Sequence, residues 1–298
     1  MPIGGAKGEP LCLRGRSAII TGGSTGLGQS IARAFLAEGA NVAICAREPG
    51  ALEETRRCLI EFSGAEQRVL ARTCDVSQED QVRQFIAAVV ERFARVDILI
   101  NNAGVLGPIG KTEEVEISEW RRAIDINLFG TVMLCSGVVP QMRSNSYGKI
   151  VNLSGGGATS PRPFHSAYAT AKAAVVRFTE NLAEELRDTG IDVNSIAPGA
   201  LNTRMLTQSL EAGAERMGEA QFSQALRQKE TGGSSFEKAA ALCVYLSSAA
   251  ADGITGKLIS APWDPWPTLH EHLDELRTSD IYTLRRVVPE DRGKHWNE

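Results

Sequence analysis

The chain has 298 residues, of which 43% are apolar and 23% charged, a composition typical of a globular protein with a sizeable core. Its 32 basic and 36 acidic residues are interspersed and give a net charge of -4, which argues against a nucleic-acid-binding surface. We find no run of about 18 apolar residues that would span a membrane, and residues 1–15 lack the apolar core of a secretory signal. We therefore expect a cytoplasmic protein with no membrane and no nucleic-acid partner.

The cysteines and histidines predict neither disulfides nor a metal centre. The six cysteines are scattered without a Cys-x-x-Cys pair, and several lie in apolar segments, which is typical of reduced core residues. His270 and His272 would point to different faces of a helix, so we expect no metal site.

Short apolar segments alternate with amphipathic ones along the chain. We predict strands at Ser17 to Thr21, Asn41 to Cys45, Arg68 to Cys74, Asp97 to Ile100, Lys149 to Leu153, Ile191 to Ile196 and Lys257 to Ser260. Helices are predicted at Gly28 to Glu38, Leu52 to Phe62, Glu79 to Phe93, Ser118 to Met142, from Tyr168 onward, and at Phe236 to Ser248. Strands that are apolar on both faces and separated by helices indicate an α/β, doubly wound Rossmann-type fold with a seven-stranded parallel sheet.

The chain shows no internal repeat and no linker rich in Pro, Gly or Ser, so we expect one domain at residues 14–262. Residues 1–13 are expected to be a flexible leader, and residues 263–298 a C-terminal extension. Trp263 and Trp266 in this extension are costly to expose, so we expect them to pack against the body or a neighbouring subunit.

A glycine-rich segment follows the first strand and leads into a helix. Its glycines would let the backbone turn tightly and approach a ligand, while the helix amides attract a pyrophosphate. A plain glycine-rich turn is the alternative, but the flanking strand and helix favour a dinucleotide site. The candidate cofactor-binding residues are Gly22, Ser24, Thr25, Gly26, Leu27 and Gly28.

The end of the second strand predicts which dinucleotide is bound. An acidic residue there would bind the ribose hydroxyls, whereas an arginine nearby suits a 2′-phosphate. The position carries Ala46 followed by Arg47, which favours NADP(H) over NAD(H). Arg47 as a solvated surface residue beside Glu48 is the alternative.

The third and fourth strands end in segments that would meet the same ligand. Asp75, followed by Val76, could accept from the adenine amino group or cap the next helix. Asn102, Ala103 and Gly104 could form a plain turn, but their place favours close passage of the cofactor ribose.

Tyr168 and Lys172 stand four residues apart on a predicted helix and therefore share one face. An unperturbed tyrosine titrates near pH ~10, and an adjacent cation lowers that pKa. The pair could therefore transfer a proton near neutral pH.

Together these residues resemble the short-chain dehydrogenase/reductase family from about Arg14 to Ala261. The matching motifs, in order, are Thr21-Gly-x-x-x-Gly26-x-Gly28, Asp75, Asn101-Asn-Ala-Gly104, Asn127, Tyr168-x-x-x-Lys172, and Pro198-Gly199 with Thr203. The resemblance implies hydride transfer between a nicotinamide and a carbon bearing oxygen, and association into homodimers or homotetramers.

The resemblance also implies a role for each matching residue. Tyr168 would be the general acid or base, and Lys172 would lower its pKa and hold the nicotinamide ribose. Asn127 would fix a water that links the lysine to solvent. Pro198, Gly199 and Thr203 would hold the carboxamide.

One residue departs from the family pattern. The usual serine that polarises the substrate oxygen falls on Gly155, and Ser154 lies one position early. Either the loop shifts so that Ser154 reaches the pocket, or the hydrogen bond comes from Thr159, Ser160 or a backbone amide. Ser154 as a strand-end hydroxyl bonded to the backbone is the alternative.

Two further segments are expected to surround the substrate. Residues 203–235 are expected to form a lid, with an amphipathic surface segment as the alternative. Arg162 and His165 precede the tyrosine and either contact polar substrate groups or face solvent. The polar tail and loop favour a polar small molecule such as a sugar or polyol derivative. A 3-oxoacyl-thioester or steroid-like reductase, and a dinucleotide-binding regulatory protein, are the alternatives.

Overall fold

The computed structural model describes residues 11–296. Seven strands form one parallel sheet in the order β3-β2-β1-β4-β5-β6-β7. The strands are β1 (Ser17–Thr21), β2 (Asn41–Ala46), β3 (Val69–Thr73), β4 (Ile98–Asn101), β5 (Gly148–Leu153), β6 (Ile191–Ala197) and β7 (Leu258–Ser260). The predicted doubly wound fold and its seven strands are confirmed.

Helices cover both faces of the sheet. They are α1 (Gly26–Ala37), α2 (Pro49–Phe62), α3 (Glu79–Phe93), α4 (Ile117–Ile124), α5 (Gly130–Ser144), α6 (Ser166–Glu185), α7 (Arg204–Met217), α8 (Glu219–Thr231), α9 (Phe236–Ser247) and α10 (Leu273–Thr278). Because successive side chains of a strand point to opposite faces, Ile20 packs in the core with Phe35, and Ile19 packs in the other core with Phe85.

The chain reverses its direction of winding between β1 and β4. From β1 it builds outward to β2 and β3, and from β4 it builds the other way to β7. In such sheets ligands bind in the crevice outside the carboxyl ends of the strands at this reversal. The fold therefore directs the loops after β1 and β4 toward one cleft.

The predicted helix at Ser118 to Met142 is interrupted by a π-helical turn, Asp125–Phe129, between α4 and α5. By length and composition the whole run Ile117–Ser144 could cross a membrane, which the sequence expectation missed because charged residues interrupt its first half. Leu134, Val138 and Met142 are nonetheless fully buried in the core beside the sheet. The same composition suits a core helix, and we describe it as one.

A buried ion pair ties the amino end of β5 to β6. Lys149 is 1% exposed, and its Nζ lies 2.6 Å from Asp192 Oδ2 and 2.6 Å from Asp252 Oδ1. Burial alone would lower the lysine pKa, but the two carboxylates outweigh it and the pKa is raised. The pair is structural, since it lies at the end of the sheet opposite the cleft.

The two chain ends differ from the sequence expectation in part. Residues 1–10 of the expected leader lie outside the described residues, but Leu13 is fully buried in the core. Trp266 is 5% exposed, and its Nε1 donates to Ala261 O, so its expected packing is confirmed. Trp263 is 84% exposed and does not pack against the body of its own chain.

The C-terminal extension runs along the outer edge of β7. The amide of Leu258 donates to Tyr282 O, and the amide of Ser260 donates to Asp264 Oδ2. Lys257 Nζ donates to the carbonyls of Ser279 and Ile281. The extension is therefore bonded to the sheet rather than only resting on it.

Candidate active site

A cavity of about 1800 Å³ opens at the carboxyl ends of the strands. It is lined by every candidate cofactor-binding residue from the sequence, and by Ser154, Tyr168 and Lys172. Asn127 is the one candidate that does not line it. Residues as far apart in the chain as Gly22 and Thr203 thus line one cavity.

The loop between β1 and α1 requires its glycines. Gly22 has φ +64, and a Cβ on Gly28 would lie 2.6 Å from Asn102 Nδ2, closer than real contacts allow. Gly26 has φ +56, with nothing within 4 Å of the position its Cβ would take. Thr25, the N-cap of α1, makes no side-chain cap bond, so the first amides of α1 remain available. The loop is tightly packed at Gly28 and open at Gly26, and this arrangement leaves room for a pyrophosphate beside the first amides of α1.

Thr21 holds this loop against the segment after β4. Its Oγ1 accepts from the amides of Asn102 and Ala103, each at 3.0 Å, and Asn102 Nδ2 donates to Thr21 O at 2.9 Å. These bonds fix the Asn-Ala-Gly segment as part of the cleft wall. From the sequence, Thr21 is only the first residue of the glycine motif. Its bracing role is not predictable there, because these bonds join residues about 80 positions apart.

The end of the cavity near β2 and β3 carries Arg47 and Asp75. Arg47 is exposed and lines the cavity. Asp75 Oδ1 accepts from the amide and the hydroxyl of Ser77, so the carboxylate stabilises the turn before α3. Gln78 is the N-cap of that helix. Asp75 therefore shapes a turn without capping the helix, and it still lines the cavity.

Tyr168 and Lys172 lie on α6 and are both almost fully buried. Lys172 Nζ lies 5.8 Å from the centre of the Tyr168 ring and donates to Leu153 O at 2.7 Å. Burial lowers the pKa of Lys172 to about 8. The predicted shared face is present, and both groups reach the same cavity.

The pKa of Tyr168 is shifted in the direction opposite to the expected one. Burial raises its pKa, and the charge that opposes this rise belongs to Arg162 rather than to Lys172. The expectation failed because i,i+4 spacing predicts proximity, whereas the cost of burying a phenolate is set by the whole surroundings.

Asn127 lies in the π-helical turn and is fully buried. Its Nδ2 donates to the carbonyls of Val105 and Ala123, and its Oδ1 accepts from the amide of Val105. The side chain therefore braces the segment after Gly104. A Cβ on Gly104 would lie 2.7 Å from Asn127 Oδ1 and 3.7 Å from Lys172 Nζ, so both side chains lie beside Gly104.

Gly155 faces the hydroxyl of Tyr168. A Cβ built on Gly155 would overlap Tyr168 Oη and would lie 3.1 Å from Cζ, so the phenol fills the space of a side chain there. Ser154 is 3% exposed, and its Oγ has no hydrogen-bond partner within residues 11–296. Thus Ser154 is not bonded to the backbone as the alternative required.

The segment after β6 and the two helices that follow it close one side of the cavity. Pro198, Gly199 and Thr203 line it, and Thr203 caps α7 by accepting from the amide of Met205. Gly213 breaks the helical conformation inside α7, with φ +73. Residues of α7 and α8, including Leu206, Leu210 and Gln228, also line the cavity.

Arg162 and His165 line the cavity beside Tyr168. The Arg162 guanidinium carbon lies 5.4 Å from the centre of the Tyr168 ring. His165 is fully buried with Nδ1 3.1 Å from Pro163 O, and its pKa is lowered by burial and by Arg162. Of the two alternatives for these residues, contact with polar substrate groups or exposure to solvent, their place in the cavity wall is compatible with the first.

Comparison with known proteins agrees with this arrangement. A family model described as short chain dehydrogenase matches residues 16–213. D-beta-hydroxybutyrate dehydrogenase of Rhizobium meliloti (strain 1021) is 32% identical over 251 residues, which cover 82% of this chain and 96% of the relative. 3beta-hydroxysteroid dehydrogenase 1 of Eggerthella lenta is 41% identical over 194 residues, 64% of this chain and 72% of the relative. The crystal structure of a levodione reductase superposes with a TM-score of 0.75 at 32% identity, covering 83% of this chain and 96% of that one.

Proposed function

The chain belongs to the short-chain dehydrogenase family, and on that premise we propose that it transfers a hydride between a nicotinamide and a secondary alcohol or ketone, with Tyr168 as general acid or base. As an enzyme of this family it is an NAD(P)-dependent oxidoreductase that acts on CH–OH groups. The observation that carries the proposal is the Tyr168 hydroxyl, buried in the same cavity as the glycine-rich loop.

The cofactor fits the residues present. Gly26 leaves open space in front of the free amides of α1, and the Asn102 to Gly104 segment is held rigidly by Thr21. We propose that Lys172 holds the ribose near the nicotinamide and that Pro198, Gly199 and Thr203 hold its carboxamide. The bound nicotinamide supplies the hydride in reduction and accepts it in oxidation.

The protonation of Tyr168 supports ketone reduction near neutral pH. Because burial raises its pKa, the phenol keeps its proton and can donate it to the substrate oxygen. For alcohol oxidation the phenol must first lose this proton, so oxidation should accelerate as pH rises. Lys172, whose pKa is about 8, is largely charged at pH 7 and would stabilise the phenolate left behind.

Ser154 is proposed to donate to the substrate oxygen. Its hydroxyl is buried, lacks a partner in the described part of the chain, and lines the cavity. A buried hydroxyl without a partner is unfavourable in the free protein, and a ligand oxygen would relieve this cost. Because Gly155 has no side chain, the Tyr168 hydroxyl lies directly against residue 155, next to Ser154 in the chain.

We propose NADP(H) as the preferred cofactor and NAD(H) as the weaker one. Arg47 is exposed at the cavity end where a 2′-phosphate would lie, and Ala46 supplies no carboxylate to bind ribose hydroxyls. Arg47→Ala should weaken NADPH binding by about 10- to 100-fold and leave NADH binding unchanged. Arg72→Ala, an exposed arginine on β3 outside the cavity, is the control in the fluorescence titrations; equal losses for both cofactors would contradict the preference.

The proposed substrate is a polar small molecule, such as a sugar or polyol derivative. Polar groups of the loop after β5 and of α8, among them Ser160 and Gln228, line the cavity. A steroid-like ketone is the second candidate substrate. It is supported by the name of the Eggerthella lenta relative, a hydroxysteroid dehydrogenase, and by the apolar cavity residues Leu206, Leu210 and Met217. We further propose that residues 203–235 close over the substrate, and that the chain works in the cytoplasm as a homodimer or homotetramer.

Replacement of the phenol tests the proposal directly. Tyr168→Phe should abolish NADPH-dependent ketone reduction and keep NADPH binding within about threefold, because removing a general acid costs about 10²- to 10⁴-fold in rate. Tyr147→Phe, another partly buried tyrosine outside the cavity, is the control. Turnover that is unchanged in Tyr168→Phe would refute Tyr168 as the general acid. Cofactor binding with no turnover of any ketone by the wild type, and no effect of Tyr168→Phe, would favour the regulatory alternative.

A further inference from the structure

Arg162 differs from the other partly buried arginines of this protein. Between residues 11 and 296, four arginines are neither exposed nor fully buried: Arg16, Arg56, Arg95 and Arg162. Arg16 and Arg95 pair with Asp97, and Arg56 pairs with Glu53. Arg162 pairs with no carboxylate in the part of the chain that the structure describes. Within the described residues, each partly buried guanidinium is thus paired with a carboxylate, except that of Arg162 beside Tyr168.

The surroundings of Arg162 do not supply a counter-charge by other means. Burial lowers its pKa, and the phenol of Tyr168 is the one group that acts in the opposite direction. The guanidinium lies near the Tyr168 ring, and its N–H groups donate to no acceptor within residues 11–296. A partly buried charge without a partner is unfavourable, so the site gains stability when an anion binds.

The loop after β5 packs against both Arg162 and Tyr168. Gly157 has φ +100, and a Cβ there would lie 3.2 Å from Arg162 Cβ, whereas a Cβ on Gly156 would make only an ordinary contact with Arg162 Nη1. Gly155 in the same loop faces the Tyr168 hydroxyl. The guanidinium and the phenol therefore border one loop and line one cavity.

We infer that the substrate carries an anionic group, a carboxylate or a phosphate, which Arg162 binds a few bonds away from the carbon that exchanges the hydride. A guanidinium binds either group through two parallel hydrogen bonds. The guanidinium carbon lies 5.4 Å from the centre of the Tyr168 ring, so an anion bound by Arg162 would lie close to the phenol that exchanges the proton. This inference rests on the proposed function and narrows its polar substrate to an oxo or hydroxy acid, or a phosphorylated ketone.

Matched pairs of ketones test the inference. The pairs are 3-oxobutanoate with 3-oxobutanamide, 4-oxopentanoate with 4-oxopentanamide, and dihydroxyacetone phosphate with dihydroxyacetone; the last separates phosphate from carboxylate. In the NADPH-loaded wild type we expect the anionic member of at least one pair to have the higher kcat/KM. Arg162→Gln should lower that value by about 10- to 100-fold, chiefly through KM, and change the neutral member by less than threefold. Arg162→Lys should recover part of the loss, and Arg56→Gln should match the wild type.

Two outcomes would overturn the inference while leaving the proposed function intact. One is equal kcat/KM for the charged and neutral members of every pair in the wild type. The other is an equal fall in kcat for both members in Arg162→Gln, which would mean that Arg162 acts on Tyr168 alone.

Calorimetric titration of the NADP⁺-loaded protein gives a readout that does not need turnover. We expect the anionic probes to bind more tightly than their neutral partners to the wild type and Tyr168→Phe, and this preference to vanish in Arg162→Gln. If no ketone is reduced but the preference is present, the proposed function fails and the anion site stands. If the preference is absent in the wild type, the anion site is refuted.

Discussion

The position of Gly155 against Tyr168 makes a prediction that the resemblance alone would not make. The family usually has a serine here, so substitution with a small side chain would be expected to be tolerated. In this chain a Cβ at residue 155 would overlap Tyr168 Oη and lie 3.1 Å from Cζ and 3.3 Å from Cε1. Carbon atoms in contact stay about 3.5–4.0 Å apart, so the phenol must move by about 0.5 to 1 Å.

A displacement of that size is large for proton transfer. Misplacing a reacting group by about 1 Å can cost on the order of 10²-fold in rate, about 2.7 kcal/mol of barrier. Gly155→Ala should therefore lower kcat/KM for ketone reduction by about 10²-fold. Because the changed contact is with the phenol and not with the glycine-rich loop, the NADPH dissociation constant should stay within about threefold.

The neighbouring glycine provides the control for this experiment. A Cβ on Gly156 would meet only Arg162, at 3.6 Å from Nη1, which is an ordinary contact. Gly156→Ala should therefore keep kcat/KM for a neutral ketone within about threefold, as measured by NADPH absorbance. Equal activity of Gly155→Ala and Gly156→Ala would refute this prediction, because it would show that the loop moves to accommodate the new Cβ and the phenol stays in place.

Three other substitutions test separate parts of the structure. Ser154→Ala should lower kcat by about 10²-fold and leave thermal stability unchanged or slightly higher, because it removes a buried hydroxyl without a partner in residues 11–296; unchanged turnover would remove Ser154 from the site. Lys172→Met should raise the free energy of unfolding at pH 7 by about 1 to 3 kcal/mol. Burying the charged lysine lowers its pKa to about 8, which means that its charged form is less stable in the folded chain than in the unfolded one. Since the unfolded chain holds a proton on Lys172 between pH 8 and 10.5 that the folded chain lacks, wild-type stability should approach that of the variant as pH rises, and a constant difference in urea titrations would contradict this. Lys149→Met should destabilise the fold by about 3 to 5 kcal/mol by leaving Asp192 unpaired, whereas Lys111→Met at an exposed pair should change it by less than about 0.5 kcal/mol.

Much of the fold was predictable because its signals are local. Each buried strand is a short apolar run, and the alternation with amphipathic helices limits the topology to a parallel, doubly wound sheet. The glycine-rich loop was predictable because positive φ and close packing at Gly22 and Gly28 exclude other residues. Boundaries were less accurate, since a π turn such as Asp125–Phe129 leaves no distinct pattern in the apolar spacing.

The electrostatics of the site could not be predicted in the same way. The spacing of Tyr168 and Lys172 predicts a shared face, but the pKa of the phenol depends on burial and on Arg162, which approaches from a loop. Trp263 is exposed on its own chain, so for this residue packing against a neighbouring subunit stays a prediction. Long-range contacts decide these features, and composition and periodicity do not record them.

The C-terminal extension has a consequence for how copies of the chain can meet. A bare edge strand offers unpaired amides to the edge of another sheet, which is a common route to aggregation and to strand exchange. Here the amides of Leu258 and Ser260 on β7 are occupied by Tyr282 and Asp264 of the same chain. Two copies therefore cannot join their sheets into one continuous sheet through this edge of β7.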